Sequence, residues 1–504
     1  MSGKQSEEFV PEEHVRSAEE EYAELEEARR SLRNVYHKLA YSFVVSITQM
    51  FSIGGLGIAA FSARDVAASM HATNPSEMVW YMAAYALTGG VFVLVAGAVG
   101  DVVGHKYALV FGWLWTALWS LLSGFATNSI YFDVMRGLAG IGNAAVTPCA
   151  VALLARAFPA GSPWKNLSFA LFGFFAPSGF VMGGAVAAGM THSVNWRWAY
   201  YLWAILSLVF GILSFLVIPH SLGKSVPGAT MRTFDYLGSF LGIGGLLLFA
   251  FAWIQAGILG WEVTYTYVLL IIGVVLTIAF AFWETRAKQP VHPPSMWKRR
   301  GFTPVAAAMC FGWMSFGVFL YFAPEFLMTF RNLSPRHAVA ETSPVVVTGA
   351  IGTLFVALVV DRISVKIIFM ISAFGFLFGN LMFSVTPERQ TYWAMAFPGM
   401  ALVALGPDLS FTSASIVITN TVLPDEQGAA GSFINTLVLY GSGLGMGFAG
   451  VVQRYVMRQT GDALLASRSA LWFGLGLSAM AMLVVILFVH DPRFEKNEDA
   501  ASEA

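Results

Sequence analysis

The chain has 504 residues and a formal net charge of −1, so its overall charge does not point to a nucleic-acid partner. Hydrophobic residues make up 57% of the chain and charged residues only 12%, whereas a typical soluble domain carries about 25% charged residues. That deficit excludes a protein with a largely water-facing surface. The two cysteines, Cys149 and Cys310, both lie inside apolar runs, which excludes a disulfide framework and a metal-ligand cluster.

The chain begins with a polar segment that is rich in glutamate, including Glu12, Glu13 and Glu19. The stretch Ser17–Arg33 has helical character, and both a solvated helix and a regulatory contact with the rest of the protein are open interpretations. No N-terminal signal peptide is visible, so we expect the first apolar run to act as an internal signal anchor.

Fourteen apolar runs follow, and most approach the ~20 residues that a helix needs to cross a bilayer. They are Ala40–Ala60, Val79–Gly100, Tyr107–Ala126, Ile130–Ala150, Ser168–Met190, Ala199–Ile218, Tyr236–Gly257, Tyr265–Trp283, Phe302–Phe322, Pro344–Val360, Ile367–Val385, Trp393–Ile418, Ala429–Val451 and Ala470–Val489. These runs predict an all-α polytopic membrane protein. An even number of spans places both termini on one side, and the bias of Lys and Arg between the loops favours the cytoplasm.

One motif occurs twice, at the ends of the second and tenth spans. The residues are Gly97, Asp101, Gly104 and Lys106 in the first copy, and Ala357, Asp361, Ser364 and Lys366 in the second. The repeat indicates two six-helix bundles with two helices inserted between them. The predicted organisation is a cytoplasmic tail (1–39), an N-terminal bundle (40–219), a linker with two helices (220–300), a C-terminal bundle (301–489) and a cytoplasmic tail (490–504).

The fifth and thirteenth spans are both rich in glycine. The residues are Gly173, Pro177, Gly179, Gly183 and Gly184 in the fifth span, and Gly441, Gly443, Gly445 and Gly447 in the thirteenth. Glycines allow close helix packing, and with proline they also allow bending, so packing and a hinge are both open. Two parallel halves with a site between them fit an alternating-access carrier.

Several motifs resemble those of the major facilitator superfamily, and more narrowly its fourteen-span drug:proton antiporter family. They are the loop signature from Gly97 to Lys106, Trp196-Arg197-Trp198, Asp235-Tyr236-Leu237-Gly238 and Gly428…Asn435-Thr436. Within that family, His105-Lys106 and the stretch Gly406–Phe411 resemble the fungal aminotriazole-resistance and boron-exporter branch. The chain departs from the family at Ala139, where a Gln is usual, and in the spacing between Pro177 and the glycine pair of the fifth span.

Inserting a charged side chain at the centre of a membrane span costs at least ~2.5 kcal/mol, so a charged residue inside a span is first considered as functional. Arg136, Glu325 and Asp408 are the candidates for a proton or substrate pathway. Asp408 is the best-placed proton carrier, because the first span offers no acid and only Gln49 as a large polar contact for substrate. The alternatives are a hydrogen-bond hub for Arg136, an interfacial residue for Glu325 and a helix-stabilising role after Pro407 for Asp408.

The resemblance implies a secondary active transporter that exports small molecules such as drugs or toxic compounds in exchange for protons. It also implies that Asp101 and its repeat take part in gating. We expect a monomer in the plasma membrane, or alternatively the vacuolar membrane, with lipid, protons and a small-molecule substrate as partners. We expect neither enzymatic activity nor a cofactor, metal or nucleic acid.

Two other functions share the fold and stay open. One is a uniporter or importer of a small solute such as ammonium or boric acid. The other is a non-transporting sensor, which the short tails disfavour.

Overall fold

The computed structural model describes residues 26–32, 34–71, 77–159, 162–225, 230–232, 234–288, 290–299, 301–359, 362–421 and 427–489. These residues form fourteen long helices and no β-strand, which confirms the all-α fold. The helices are α1 (Val35–Ser69), α2 (Met78–Val103), α3 (His105–Gly124), α4 (Ser129–Ala157), α5 (Pro163–Ser193), α6 (Arg197–Val217), α7 (Tyr236–Leu259), α8 (Thr264–Glu284), α9 (Phe302–Thr329), α10 (Pro344–Val359), α11 (Val365–Ser384), α12 (Ala396–Thr421), α13 (Gln427–Thr460) and α14 (Ala463–Phe488). A short helix, Pro335–Thr342, leads into α10.

Within the described ranges, thirteen membrane-span candidates are long and apolar enough to cross a bilayer. α12 has 26 residues and corresponds to the twelfth predicted span. Several helices are longer than the predicted spans: α1 has 35 residues, because a helix continues past the apolar core into the polar interface of the membrane.

The sequence also sets where several helices begin. The side chains of Asn34, Asn128 and Asp235 accept hydrogen bonds from main-chain N–H groups in the first turns of α1, α4 and α7. These N–H groups have no partner within the helix, so a short polar side chain at this position stabilises the helix start.

The two halves use the same helix pairings. In the first half α1 packs on α5, α2 on α4, and α3 on both α4 and α6. In the second half α9 packs on α13, α10 on α12, and α11 on both α12 and α14. The sequence repeat therefore corresponds to a repeat in helix packing.

The halves meet along two seams, α2 with α13 and α5 with α10. The inserted helix α7 packs against both α2 and α13, and α8 packs mainly on α7. The Tyr440 hydroxyl on α13 donates to the carbonyl of Leu246 on α7 (3.0 Å), and the indole of Trp80 on α2 donates to Gln255 (3.0 Å). The insertion thus covers one seam and leaves the other uncovered.

The part of the N-terminal tail that the structure describes, residues 26–32, contacts the first bundle. Ala28 and Leu32 are buried, and Nε of Arg29 donates to the carbonyl of Arg156 (3.0 Å) at the end of α4. A cation is favourable there because it faces the negative end of the helix dipole. Residues 1–25 and 490–504 lie outside the described residues. Below, "inner" means the face at which α1 begins, and "outer" the opposite face.

Candidate functional site

The first loop motif lies at the inner end of α2. Nε2 of His105 lies 3.2 Å from Oδ1 of Asp101, whose side chain stays 41% exposed. Gly97 faces α13, where a Cβ atom would lie 2.5 Å from the Ser432 hydroxyl. Gly104 has φ +101°, a backbone conformation that favours glycine, and it connects α2 to α3. The motif therefore sits beside the inner end of the α2–α13 seam.

The two motif lysines occupy equivalent positions. Nζ of Lys106 donates to the carbonyl of Ile218 (2.6 Å), at the end of the sixth helix of the first half. Nζ of Lys366 donates to the carbonyl of Ile486 (3.0 Å), near the end of the sixth helix of the second half. Each lysine, at the start of the third helix of its half, thus contacts the end of the sixth helix of the same half. A cation is favoured there because that end of a helix carries the negative part of the helix dipole. Asp361 lies outside the described residues.

The glycines of α5 form its contact with α1. A Cβ atom at Gly179 would lie 3.0 Å from the Met50 Cα, and one at Gly183 would lie 2.8 Å from the carbonyl carbon of Gly54. A Cβ atom added at Gly184 would lie 2.5 Å from the Phe61 ring. In the second half, Gly317 and Gly445 provide the equivalent approach between α9 and α13. Close backbone packing accounts for these glycines, and a hinge role stays a prediction.

Asp408 lies near the middle of α12, beside the uncovered seam. Its side chain is 8% exposed, and Oδ2 has no hydrogen-bond partner among the described residues. A Cβ atom placed on Gly349 of α10 would lie 2.5 Å from this oxygen and 2.7 Å from Cγ of Pro177 on α5. One turn further in, Gly173 faces Thr353 in the same way. The carboxylate is therefore buried close to where the two halves meet.

Gln49 is also buried, at 8% exposure, and its Oε1 lacks a partner within the described part of the chain. It lies on α1, one turn before Ser52, whose hydroxyl accepts a hydrogen bond from Asn143 on α4 (3.0 Å). Buried polar atoms are normally paired, so an unpaired amide oxygen in mid-span is available to a ligand or a water molecule.

Arg136 is 1% exposed and joins three helices. Its guanidinium donates to the carbonyls of Tyr81 on α2 (3.1 Å) and Gly55 on α1 (2.5 Å). It also lies over the rings of Tyr85 and Tyr200, with 4.6 and 5.7 Å to the ring centroids. These contacts support the interpretation of Arg136 as a hydrogen-bond hub. A role of Arg136 in the proton pathway stays a prediction.

Glu325 follows Pro324 near the outer end of α9 and is half-buried. Its two oxygens lie 3.5 Å from Nε2 of Gln453 on α13 and 3.4 Å from the hydroxyl of Ser467 on α14. The carboxylate therefore points between helices of the second half rather than towards lipid.

No contact among the described residues joins Asp408, Arg136 and Glu325 to one another. Two further acids, Asp65 of α1 and Asp133 of α4, lie near the outer face and were not among the predicted site residues. Asp65 lies beyond the predicted first span, and Asp133 lies in the first turns of α4. The Gly349–Pro177 contact has no signal in a single sequence, because its partners belong to different halves.

A small cavity lies between α5 and the second half, towards the outer face. Its lining is almost entirely apolar: Phe180, Phe316, Phe319, Leu320, Pro324, Thr342, Val345 and Met400. The cavity has room for about one water molecule, so it is not a substrate-sized site in this conformation.

Comparison with known proteins is consistent with this architecture. Residues 43–352 and 342–504 match the family model described as the Major Facilitator Superfamily. A "Low affinity ammonium transporter" of Saccharomyces cerevisiae is 33% identical over 470 residues, covering 92% of this chain and 90% of that protein.

Two other fungal relatives carry names that refer to efflux or resistance. "Efflux pump terJ" of Aspergillus terreus is 32% identical over 92% of this chain and 91% of that protein. The "Aminotriazole resistance protein" of Saccharomyces cerevisiae is 29% identical over 90% of this chain and 84% of that protein, which confirms the resemblance to that branch.

The helix pairings, the duplicated loop motif and these matches agree over nearly the whole length of the chain. The matched proteins are transporters rather than enzymes. The chain belongs to the major facilitator superfamily of membrane transporters.

Proposed function

We propose that this protein exports small molecules in exchange for protons, by alternating access of a site between its two halves. The observation that carries the proposal is the Asp408 carboxylate beside Pro177 and Gly349 at the uncovered seam, whose Oδ2 atom is buried without a hydrogen-bond partner among the described residues. A carboxylate in this place can exchange a proton with water only when the halves move apart. Its protonation is then linked to the conformation of the transporter.

One further observation supports export: a relative at 32% identity is named an efflux pump. The test is flux in proteoliposomes with and without an imposed pH difference, using substrates found by a resistance screen with toxic compounds, boric acid and ammonium. Export that ignores the pH difference would contradict proton coupling.

A second candidate is import or facilitated passage of a small solute, because the relative at 33% identity is named an ammonium transporter. The same assay separates the two functions. Ammonium uptake down its gradient, without export of any compound in the panel, would favour this second candidate.

We further propose that Asp101 controls the transition between the two states at the inner end of the α2–α13 seam. Asp101→Asn is expected to lower the transport rate by roughly tenfold, since one charge-assisted contact is worth about 1.5–3 kcal/mol. The measurement is initial flux at equal surface level. The control is Asp462→Asn, which changes an acid at the start of α14 on the outer face. Equal rates for Asp101→Asn and the wild type would remove the gating role.

We further propose that the protein lies in the plasma membrane, with the vacuolar membrane as the alternative, and the loop charges support both termini in the cytoplasm. We expect tags at either terminus of the intact cell to be protected from external protease and antibody. A tag on the loop between α1 and α2 is the matched control and is expected to be accessible. An exposed terminus would overturn the orientation.

A further inference from the structure

The first helices of the two halves are joined at the outer face. Nη1 of Arg64, on α1, donates to the carbonyl of Met328, on α9 (2.6 Å). Beside it, Gly184 of α5 faces Val339 of the short helix before α10. A Cβ atom added at Gly184 would lie 3.0 Å from the Val339 methyl carbon. These contacts cross from one half to the other on the outer side of the apolar cavity.

Arg64 also has an acidic counterpart in the second half. Glu325 lies about one turn before Met328 on the same helix and is within electrostatic range of Arg64. The other polar groups that face Glu325 are Gln453 of α13, Ser467 of α14 and Tyr321 on its own helix. Asp65, next to Arg64 on α1, is a further charged group near Arg64.

We propose that Arg64 holds the outer entrance between the two halves closed, with Glu325 as the charge that keeps it there. The inference rests on the proposed alternating access and assigns the outer gate of that transporter to one side chain. Arg64 is then a positioning residue: it sets which face of the site is open and does not itself touch the substrate.

The geometry suits a contact that breaks and re-forms. Arg64 is exposed and reaches across the halves from the outer surface. Water can therefore replace its carbonyl partner when the halves separate, and the loss of the hydrogen bond leaves no buried unpaired group. A buried arginine such as Arg136 could not release its carbonyls at comparable cost.

The test measures access to the cavity from the outer side. Val345 lines the cavity and is 5% exposed. Val345→Cys, made with Cys149→Ser and Cys310→Ser, provides a single thiol for a membrane-impermeant reagent on right-side-out vesicles. Adding Arg64→Ala is expected to raise the labelling rate on the order of tenfold, by shifting the population towards the outward-open state.

The control is Arg197→Ala. Arg197 also donates from the outer side to a main-chain carbonyl, that of Ala126 (2.9 Å), but both groups belong to the first half. It is expected to leave the labelling rate unchanged. Arg64→Gln provides a second variant if Arg64→Ala lowers the amount of folded protein in the membrane.

Glu325→Gln tests the counter-charge. It is expected to raise labelling by less than Arg64→Ala, and adding it to Arg64→Ala is expected to have no further effect, because its charge acts through Arg64. Unchanged labelling in both Arg64 variants, or an equal rise in Arg197→Ala, would overturn the proposal. Labelling needs neither a substrate nor a pH gradient, so a failure here is distinguishable from a failure of proton-coupled export.

Discussion

Asp408→Asn is expected to abolish accumulation of substrate against a gradient while leaving exchange down a gradient measurable. Asparagine has nearly the shape of aspartate but cannot bind and release a proton. Exchange of one proton per substrate under a one-unit pH difference sustains about tenfold accumulation, since one unit corresponds to ~1.4 kcal/mol. In the variant the accumulation ratio is expected to fall to about one. The measurement is flux in proteoliposomes with an imposed pH difference.

The control for this experiment is Asp462→Asn, which changes an acid at the start of α14 on the outer face. It is expected to retain pH-driven accumulation. A purely structural Asp408 would instead lower the surface level and every mode of transport together. If Asp408→Asn still accumulates substrate under the pH difference, Asp408 is not the proton carrier, and Glu325 becomes the next candidate.

Gly183→Ala is expected to reduce the stability of the folded protein strongly. The new Cβ atom would meet the backbone of Gly54, which cannot rotate away, so α1 and α5 must separate. Overpacking of this kind costs typically about 1–3 kcal/mol, and occasionally more. We expect a lower melting temperature in detergent and less protein at the cell surface, and larger side chains at this position are expected to prevent folding.

Gly189→Ala on the same helix is the matched control, because no atom lies within 4 Å of its Cβ position. It is expected to melt like the wild type. This pair also separates packing from a hinge. If Gly183 acts only as a hinge, Gly183→Ala is expected to melt normally but to transport slowly. If Gly183 is needed for packing between α1 and α5, the variant is expected to lose both stability and transport.

The sequence by itself determined the membrane class, the helix count and the duplication. These properties depend on local composition: an apolar run of sufficient length forms a helix in a bilayer because its backbone groups must be paired internally. The starts of α1, α4 and α7 were likewise encoded by Asn34, Asn128 and Asp235. The longer extent of α1 is a departure that local patterns describe less well, since helix ends can continue into the interface.

Only the tertiary structure decided which helices of the two halves touch. Asp408 meets Pro177 and Gly349 because α5, α10 and α12 pack together, and nothing in the sequence near Asp408 specifies those neighbours. In the same way, Lys106 and Lys366 belong to the predicted gating motif, and the structure adds the helix-end carbonyls that they contact within each half. Packing between helices depends on the shapes of surfaces far apart in the chain, and a single sequence does not record which surfaces meet.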